Sequence, residues 1–125
     1  MRLCVPTLTM SEASIAEGRV LVALDASGRT VGTVSVGRDG GDAELALMFV
    51  EPDVMGGGIG RALFEAAVGL ARRLGYRRMT ILADVNAAPF YERMGARFLR
   101  NEPSDAIPGR FLPFYEVDLT SGVPS

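Results

Sequence analysis

Polar and apolar positions change their period several times along the chain, and each change marks an element. Arg19–Asp25 (RVLVALD) and Val31–Val36 (VGTVSV) are β-rich runs on either side of Ala26-Ser27-Gly28, which has turn chemistry, so they read as a hairpin. Gly37–Asp42 (GRDGGD) reads as a second turn. Ala43–Val50 (AELALMFV) reads as a third strand, apolar enough to be expected in the centre and covered on both faces, with Glu44 its one charged residue. After Pro52, the residues Ile59, Leu63, Ala66, Leu70 and Leu74 recur at helical spacing and predict a helix stopped by Gly75. Arg78–Ala83 reads as a fourth strand and Ala87–Met94 as a short helix stopped by Gly95. Arg97–Arg100 reads as a strand start, 101–110 as a loop, and Phe111–Leu119 as a last strand that Pro113 makes an edge or a bulge. Ahead of the hairpin, Ser11–Gly18 reads as one short helix capped by Ser11, and Leu3–Leu8 as a remnant strand. Strands first, then alternating helix and strand, predict one α/β domain over 1–125 with a mixed sheet and at least one parallel crossover.

Composition narrows the chemistry. A chain of 125 residues holds a core without disulfides or metals. It has no His, so Ser-His and Cys-His catalysis and imidazole metal sites are excluded. All 13 basic residues are Arg, which excludes Schiff-base chemistry and the lysine of a P-loop. The single Cys4 excludes an internal disulfide and a multi-cysteine metal cluster, so no metal is expected. A net charge of −2 argues against nucleic acid as a partner, although Arg77, Arg78, Arg93, Arg97 and Arg100 crowd the second half. No apolar run reaches membrane-span length and the first residues do not read as a signal peptide, so a cytoplasmic location with no membrane partner is expected. Arg without Lys, with much Ala, Gly and Val, suggests a GC-rich genome.

The segment Met55-Gly56-Gly57-Gly58-Ile59-Gly60-Arg61 sits between a strand and a helix. Glycines there allow positive φ and close approach of a ligand, and the free N–H groups of the helix's first turn favour phosphate oxygens. Arg61 adds a charge-assisted contact. The competing reading is a flexible turn and a tight helix start. Among phosphate ligands, the dinucleotide fingerprint fails because the sixth residue from Gly56 is Arg61 and from Gly58 is Leu63.

The same segment resembles the acyl-CoA turn of the GNAT acetyltransferases, Q/R-x-x-G-x-G/A, with FVEP before it and GRALFEAA after it. Met55 departs from the family's Gln or Arg. Asp84–Ala96 (DVNAAPFYERMGA) resembles the family's N-x-x-x-F-Y-x-x-x-G-F/A segment, and alone would read as a short helix with Phe90, Tyr91 and Met94 in the core. Ser104, Ile107-Pro108-Gly109-Arg110 and Leu112-Pro113 resemble the tail of a broad group of bacterial members. The resemblance covers 20–119, with 43–75 as the acyl-CoA motif and 78–98 as the second motif.

The resemblance implies a mixed, mostly antiparallel sheet, a β-α-β crossover carrying the acyl-CoA turn, and helices packed on both faces. It implies acetyl-CoA as co-substrate in a V-shaped cleft between strands 43–50 and 78–83. Pyrophosphate would rest on the N–H groups of Gly56, Gly57, Gly58, Ile59, Gly60 and Arg61. Met48, Phe49 and Val50 would supply main-chain groups, one polarising the thioester carbonyl, and Asn86 would bond the pantetheine arm. A primary amine, on a small molecule or a peptide, would attack directly. Tyr91 matches the family's general acid: a phenol near pKa ~10 can protonate a thiolate whose thiol lies near ~8.5. Glu44 is the candidate base, at a place where histone-type members carry a catalytic Glu; the competing reading is a strand-end Glu facing solvent or an Arg.

GNAT domains open with a strand and two helices that wall the acceptor site, whereas 18 residues precede Arg19. Residues 1–18 are therefore expected to be an abbreviated N-terminal part, from a late start or a short form. A short form would expose an apolar face that a second copy could cover, as a homodimer. The alternative reading is a non-catalytic acyl-CoA-binding module or subunit, and a third is a fragment of a longer enzyme.

Overall fold

The structure, a computed structural model, describes residues 9–15, 18–54, 56, 58–104 and 107–120. Its strands are β1 (Thr9–Ile15), β2 (Gly18–Leu24), β3 (Thr30–Asp39), β4 (Asp42–Val50), β5 (Arg78–Leu82), β6 (Arg97–Pro103) and β7 (Phe111–Asp118). Its helices are α1 (Ile59–Arg73) and α2 (Ala88–Arg93), with one 3-10 turn at Pro52–Val54. The strands form one sheet in the order β1-β2-β3-β4-β5-β7-β6. Every junction is antiparallel except β4–β5, which is parallel and bridged by α1. No helix among the described residues is long and apolar enough to cross a membrane.

Local chemistry explains the first hairpin. Asp25 accepts hydrogen bonds from the Ser27 N–H and hydroxyl and from the Arg29 N–H, which closes the β2–β3 turn. The helix expected over 11–18 is instead β1, paired with β2 from Thr9↔Leu24 to Ile15↔Gly18. An isolated eight-residue helix is marginal in water, whereas β2 offers a full row of unpaired backbone groups, and the sheet wins. Glu12 then reaches Arg19 on β2 at 2.5 Å. Gly18, read as a helix stop, makes a close crossing: its φ is +153° and a Cβ would stand 2.1 Å from the Val36 carbonyl oxygen. The remnant strand expected at Leu3–Leu8 lies outside the described residues.

Cross-strand register places the core on one face. Leu21 opposes Val34, Val36 opposes Leu45, Ala43 lies beside Met79, and Ile81 opposes Tyr115, all buried. Helix α1 packs on this face, where a Cβ at Gly32 would meet Leu63 Cδ1 at 2.6 Å. Helix α2 packs on the same face, its Tyr91 ring 6.1 Å from that of Phe64 and 6.5 Å from that of Tyr115. Leu63 and Leu70 are fully buried, and truncating either to Ala is expected to cost about 2–5 kcal/mol.

Both described helices share one face of the sheet. The expectation that strand 43–50 is covered on both faces is corrected: its Leu47 and Phe49 are 53% and 49% exposed on the other face. Apolar residue type does not guarantee burial, because folded surfaces are largely apolar. Two smaller corrections concern the last strands. Residues 101–103, expected in a loop, extend β6. Pro113 is on neither an edge nor a bulge of β7, which lies inside the sheet between β5 and β6. It is tolerated because β5 has ended at Leu82, and its carbonyl still accepts the Ala83 N–H at 2.9 Å. In α1, Ala66 is half-buried and Leu74 exposed, and Phe64, Ala67 and Ala71 complete the buried stripe instead.

Candidate functional site

The site begins where two strands part. β4 and β5 pair only at Ala43↔Met79 and Glu44↔Thr80. Beyond that rung β4 pairs with β3 alone and β5 with β7 alone, so the sheet opens as a V. A bulge sharpens the parting: Val36 opposes Leu45 and Ser35 opposes Leu47, which leaves Ala46 as an extra residue in β4. The Glu51 N–H donates to the Val31 carbonyl. By strand alternation the Phe49 main chain then also faces β3, while the Met48 and Val50 N–H and carbonyl groups face the opening.

A cavity of about 550 Å³ fills the helix side of this V. Met48 and Val50 line it from β4, Gly56, Gly58, Gly60 and Arg61 from the turn and the start of α1, and Asn86 and Tyr91 from the β5–α2 segment. Eight residues singled out from the sequence thus meet around one space, although 43 positions separate Met48 from Tyr91. Three others do not line it. Phe49 turns to the far face, Ile59 is buried against β3, and Glu44 sits on the last β4–β5 rung. Met55 and Gly57 lie outside the described residues. Sequence reading missed Asp84, Ala87, Phe90, Arg93 and Met94 in the lining. The signal for Ala87, Phe90 and Met94 was their spacing with Tyr91 on a short helix; it was legible as one face but read as core.

The turn has the geometry of an anion cradle. Gly58 precedes α1 with φ +88°, a conformation a side chain would strain, and it places no side-chain cap on the helix. The first α1 bond runs from the Ala62 N–H to the Gly58 carbonyl, so helix geometry leaves the amides at 59–61 without a carbonyl one turn earlier. A Cβ at Gly56 would meet nothing within 4 Å, so the cradle is open. Among the described residues Arg61 pairs with exposed Glu65, at 3.3 Å, an interaction weak enough to yield to an anion. Asp84 holds the opposite wall by accepting the Asn86 N–H at 2.8 Å. This donor set fits a diphosphate ester with a long apolar arm: amides and Arg61 at one end, Met48, Phe90 and Met94 along the other.

Tyr91 is buried, and its hydroxyl donates to the Met48 sulfur at 3.8 Å. Burial raises its pKa above the usual 10, so the phenol keeps its proton at neutral pH. The closed end of the V is built differently. Arg78 bridges Asp42 on β4 and Glu116 on β7 at 3.1 and 2.7 Å, and Arg97 on β6 reaches the same Glu116. The arginines crowded into the second half are thus divided. Arg78, Arg97 and Arg100 are spent on carboxylates, and Arg93 faces the cavity.

Comparison with known proteins agrees with this architecture. Among curated proteins no relative matches the chain. A protein of Desulfovibrio desulfuricans assigned to the GNAT family is 23% identical, with TM-score 0.71 over 81% of this chain and 68% of that one. A Klebsiella pneumoniae protein described as an acyl-CoA N-acyltransferase is 16% identical, with TM-score 0.76 over 90% and 97%. A Bacillus anthracis protein named for streptothricin acetylation, solved with acetyl coenzyme A, is 14% identical, with TM-score 0.73 over 83% and 64%. At these identities the likeness is one of fold. The model of the acetyltransferase (GNAT) domain matches residues 5–106, most of the chain, and so the protein belongs to the GNAT acetyltransferase family, as an acyltransferase.

Proposed function

We propose that the protein transfers the acetyl group of acetyl-CoA to a primary amine by direct attack. The observation that carries this reading is the single cavity joining the open α1 N-terminus, the free edge of β4 and the Tyr91 hydroxyl. Amides 56–61 and Arg61 hold the pyrophosphate. The Met48 and Val50 main chain pairs with the pantetheine arm as a short strand would, and one N–H stabilises the charge that grows on the thioester oxygen. Asn86 bonds the arm from the other wall.

The proton balance closes. The acceptor enters as an ammonium and loses one proton to Glu44, directly or through water, before its nitrogen bonds the carbonyl carbon. The carbon–sulfur bond breaks, and Tyr91 gives its proton to the departing thiolate. The nitrogen's second proton restores Tyr91, and Glu44 releases the first to solvent. In support of this role, the Tyr91 hydroxyl donates to the Met48 thioether sulfur at 3.8 Å. Calorimetry with acetyl-CoA, CoA and NAD tests the reading. Saturable binding of the two CoA compounds and not of NAD is expected, and absence of CoA binding would overturn it. The non-catalytic binding reading is separated by turnover: CoA release with amines, strongly lowered in Tyr91→Phe, excludes it.

A further inference from the structure

Resting on the proposed transfer, we infer that the acceptor is a monoamine carried on an apolar, preferably aromatic, body, received on the face of the sheet opposite α1 and α2. The donor cavity occupies the helix side of the V, so the parted strands leave a slot whose other mouth opens on the opposite face. Strand alternation builds that mouth. The Glu44–Thr80 rung is its floor. Past the bulge, Leu47 and Phe49 rise from β4, and Leu82, two residues beyond Thr80, rises from β5. These three are 53%, 49% and 43% exposed, and by strand alternation all lie on the face opposite the donor cavity.

Charge decides what the rim receives. Of the carboxylates at the closed end, Asp42 and Glu116 are neutralised by Arg78 and Arg97. Glu51 lies two positions beyond Phe49, past the end of β4 at Val50. Glu44 is half-buried and forms no ion pair among the described residues. One carboxylate at the bottom of an apolar slot matches one ammonium whose substituent lies along Leu47, Phe49 and Leu82. A polycation would leave its further charges against apolar walls, which is unfavourable.

The test compares 2-phenylethylamine, ethylamine and spermidine as acceptors, reading CoA thiol release, with the acetyl-CoA dissociation constant measured in parallel. Wild-type kcat/KM should favour 2-phenylethylamine over the other two by about tenfold or more, the order expected for burying one ring. Phe49→Ser and, separately, Leu47→Ser should lower that preference several-fold while acetyl-CoA affinity and the melting temperature stay unchanged. Intact acetyl-CoA binding with equal or spermidine-favoured rates would overturn the acceptor assignment and leave the transfer reading standing. A wild-type dimer that Phe49→Ser dissociates, with turnover of none of the three amines, would overturn it in favour of a second copy on this face. Loss of acetyl-CoA binding by the wild type would overturn both.

Discussion

The two ends of the β4–β5 junction are made from the same pair of strands and do opposite things. At the closed end, two parallel rungs are flanked by Asp42, Arg78, Glu116 and Arg97, a charge ladder running across four strands. At the open end no rung forms. The Ala46 bulge turns β4 away, and α1 and α2 bring glycines, methionines and aromatic rings into the gap. The closed end spends Asp42, Arg78, Glu116 and Arg97 on one another, and these four are therefore structural. The open end leaves main-chain amides and one phenol without strong partners and is therefore available to a ligand. Unsatisfied polar groups are costly inside a protein, so a place where they persist beside a cavity is where a ligand is expected to complete them.

The largest expected separation of the two ends comes from Tyr91→Phe. Removing the proposed general acid should lower kcat by about 10²-fold or more while the acetyl-CoA dissociation constant moves little. Single-turnover rates beside calorimetry check this, and unchanged turnover would remove Tyr91 from the mechanism. Because burial holds the Tyr91 phenol above its ordinary pKa, the loss of kcat that follows its deprotonation should fall at higher pH than that of an ordinary phenol.

Gly58→Val comes next. Forcing a β-branched residue to φ +88° should cost about 1–2 kcal/mol of backbone strain and misplace the α1 amides. Acetyl-CoA affinity should fall roughly tenfold, the equivalent of 1.4 kcal/mol, with a smaller change in melting temperature.

At the closed end the effects fall on stability and not on ligand binding. Burial works against the Glu116 charge, but the hydrogen bonds from Arg97 and Arg78 outweigh it and hold the carboxyl below its ordinary range. A depressed pKa contributes stability above the unfolded value of 4.5, and that contribution is lost as pH falls through the folded value. Glu116→Gln should therefore lower stability at pH 7 by about 1 kcal/mol and flatten the acid limb of a pH–stability curve measured by denaturant titration. Acetyl-CoA binding should be unaffected.

The smallest effect at neutral pH belongs to Tyr115→Phe. Burial, and the bond from its hydroxyl to Glu92 at 2.6 Å, push the Tyr115 pKa up to about 12. A raised pKa gives stability that is complete below the unfolded value near 10 and lost as pH rises through 12. Alkaline unfolding between pH 10 and 12 should therefore be less steep in Tyr115→Phe, followed by circular dichroism.

Much of the open end was readable from residue types. The positive-φ glycines and the helical stripe that starts at Ile59 announced a strand–turn–helix unit with an open N-terminus. Strand and helix periods are local properties of backbone geometry, so Val31–Val36 and Ile59–Leu70 identified themselves. The family resemblance placed Tyr91 and Asn86, which no local rule would have brought to Gly58. The closed end was invisible: Asp42, Arg78, Arg97 and Glu116 look like ordinary surface charges until β7 is inserted between β5 and β6.

Sequence alone determined the hairpin of β2 and β3, the β-α-β crossover and the glycine turn, because each depends on neighbours a few residues away. Tertiary structure decided the rest. Thr9–Ile15 became a strand because β2 had an unpaired edge to fill. Pro113 came to lie inside the sheet because β5 stops short of it. Leu47 and Phe49 came to face away from the core because strand alternation, reset by one extra residue at Ala46, sets which side each side chain takes. Which face a helix covers depends on contacts between segments far apart in the chain, and the alternating pattern of one strand carries no information about them.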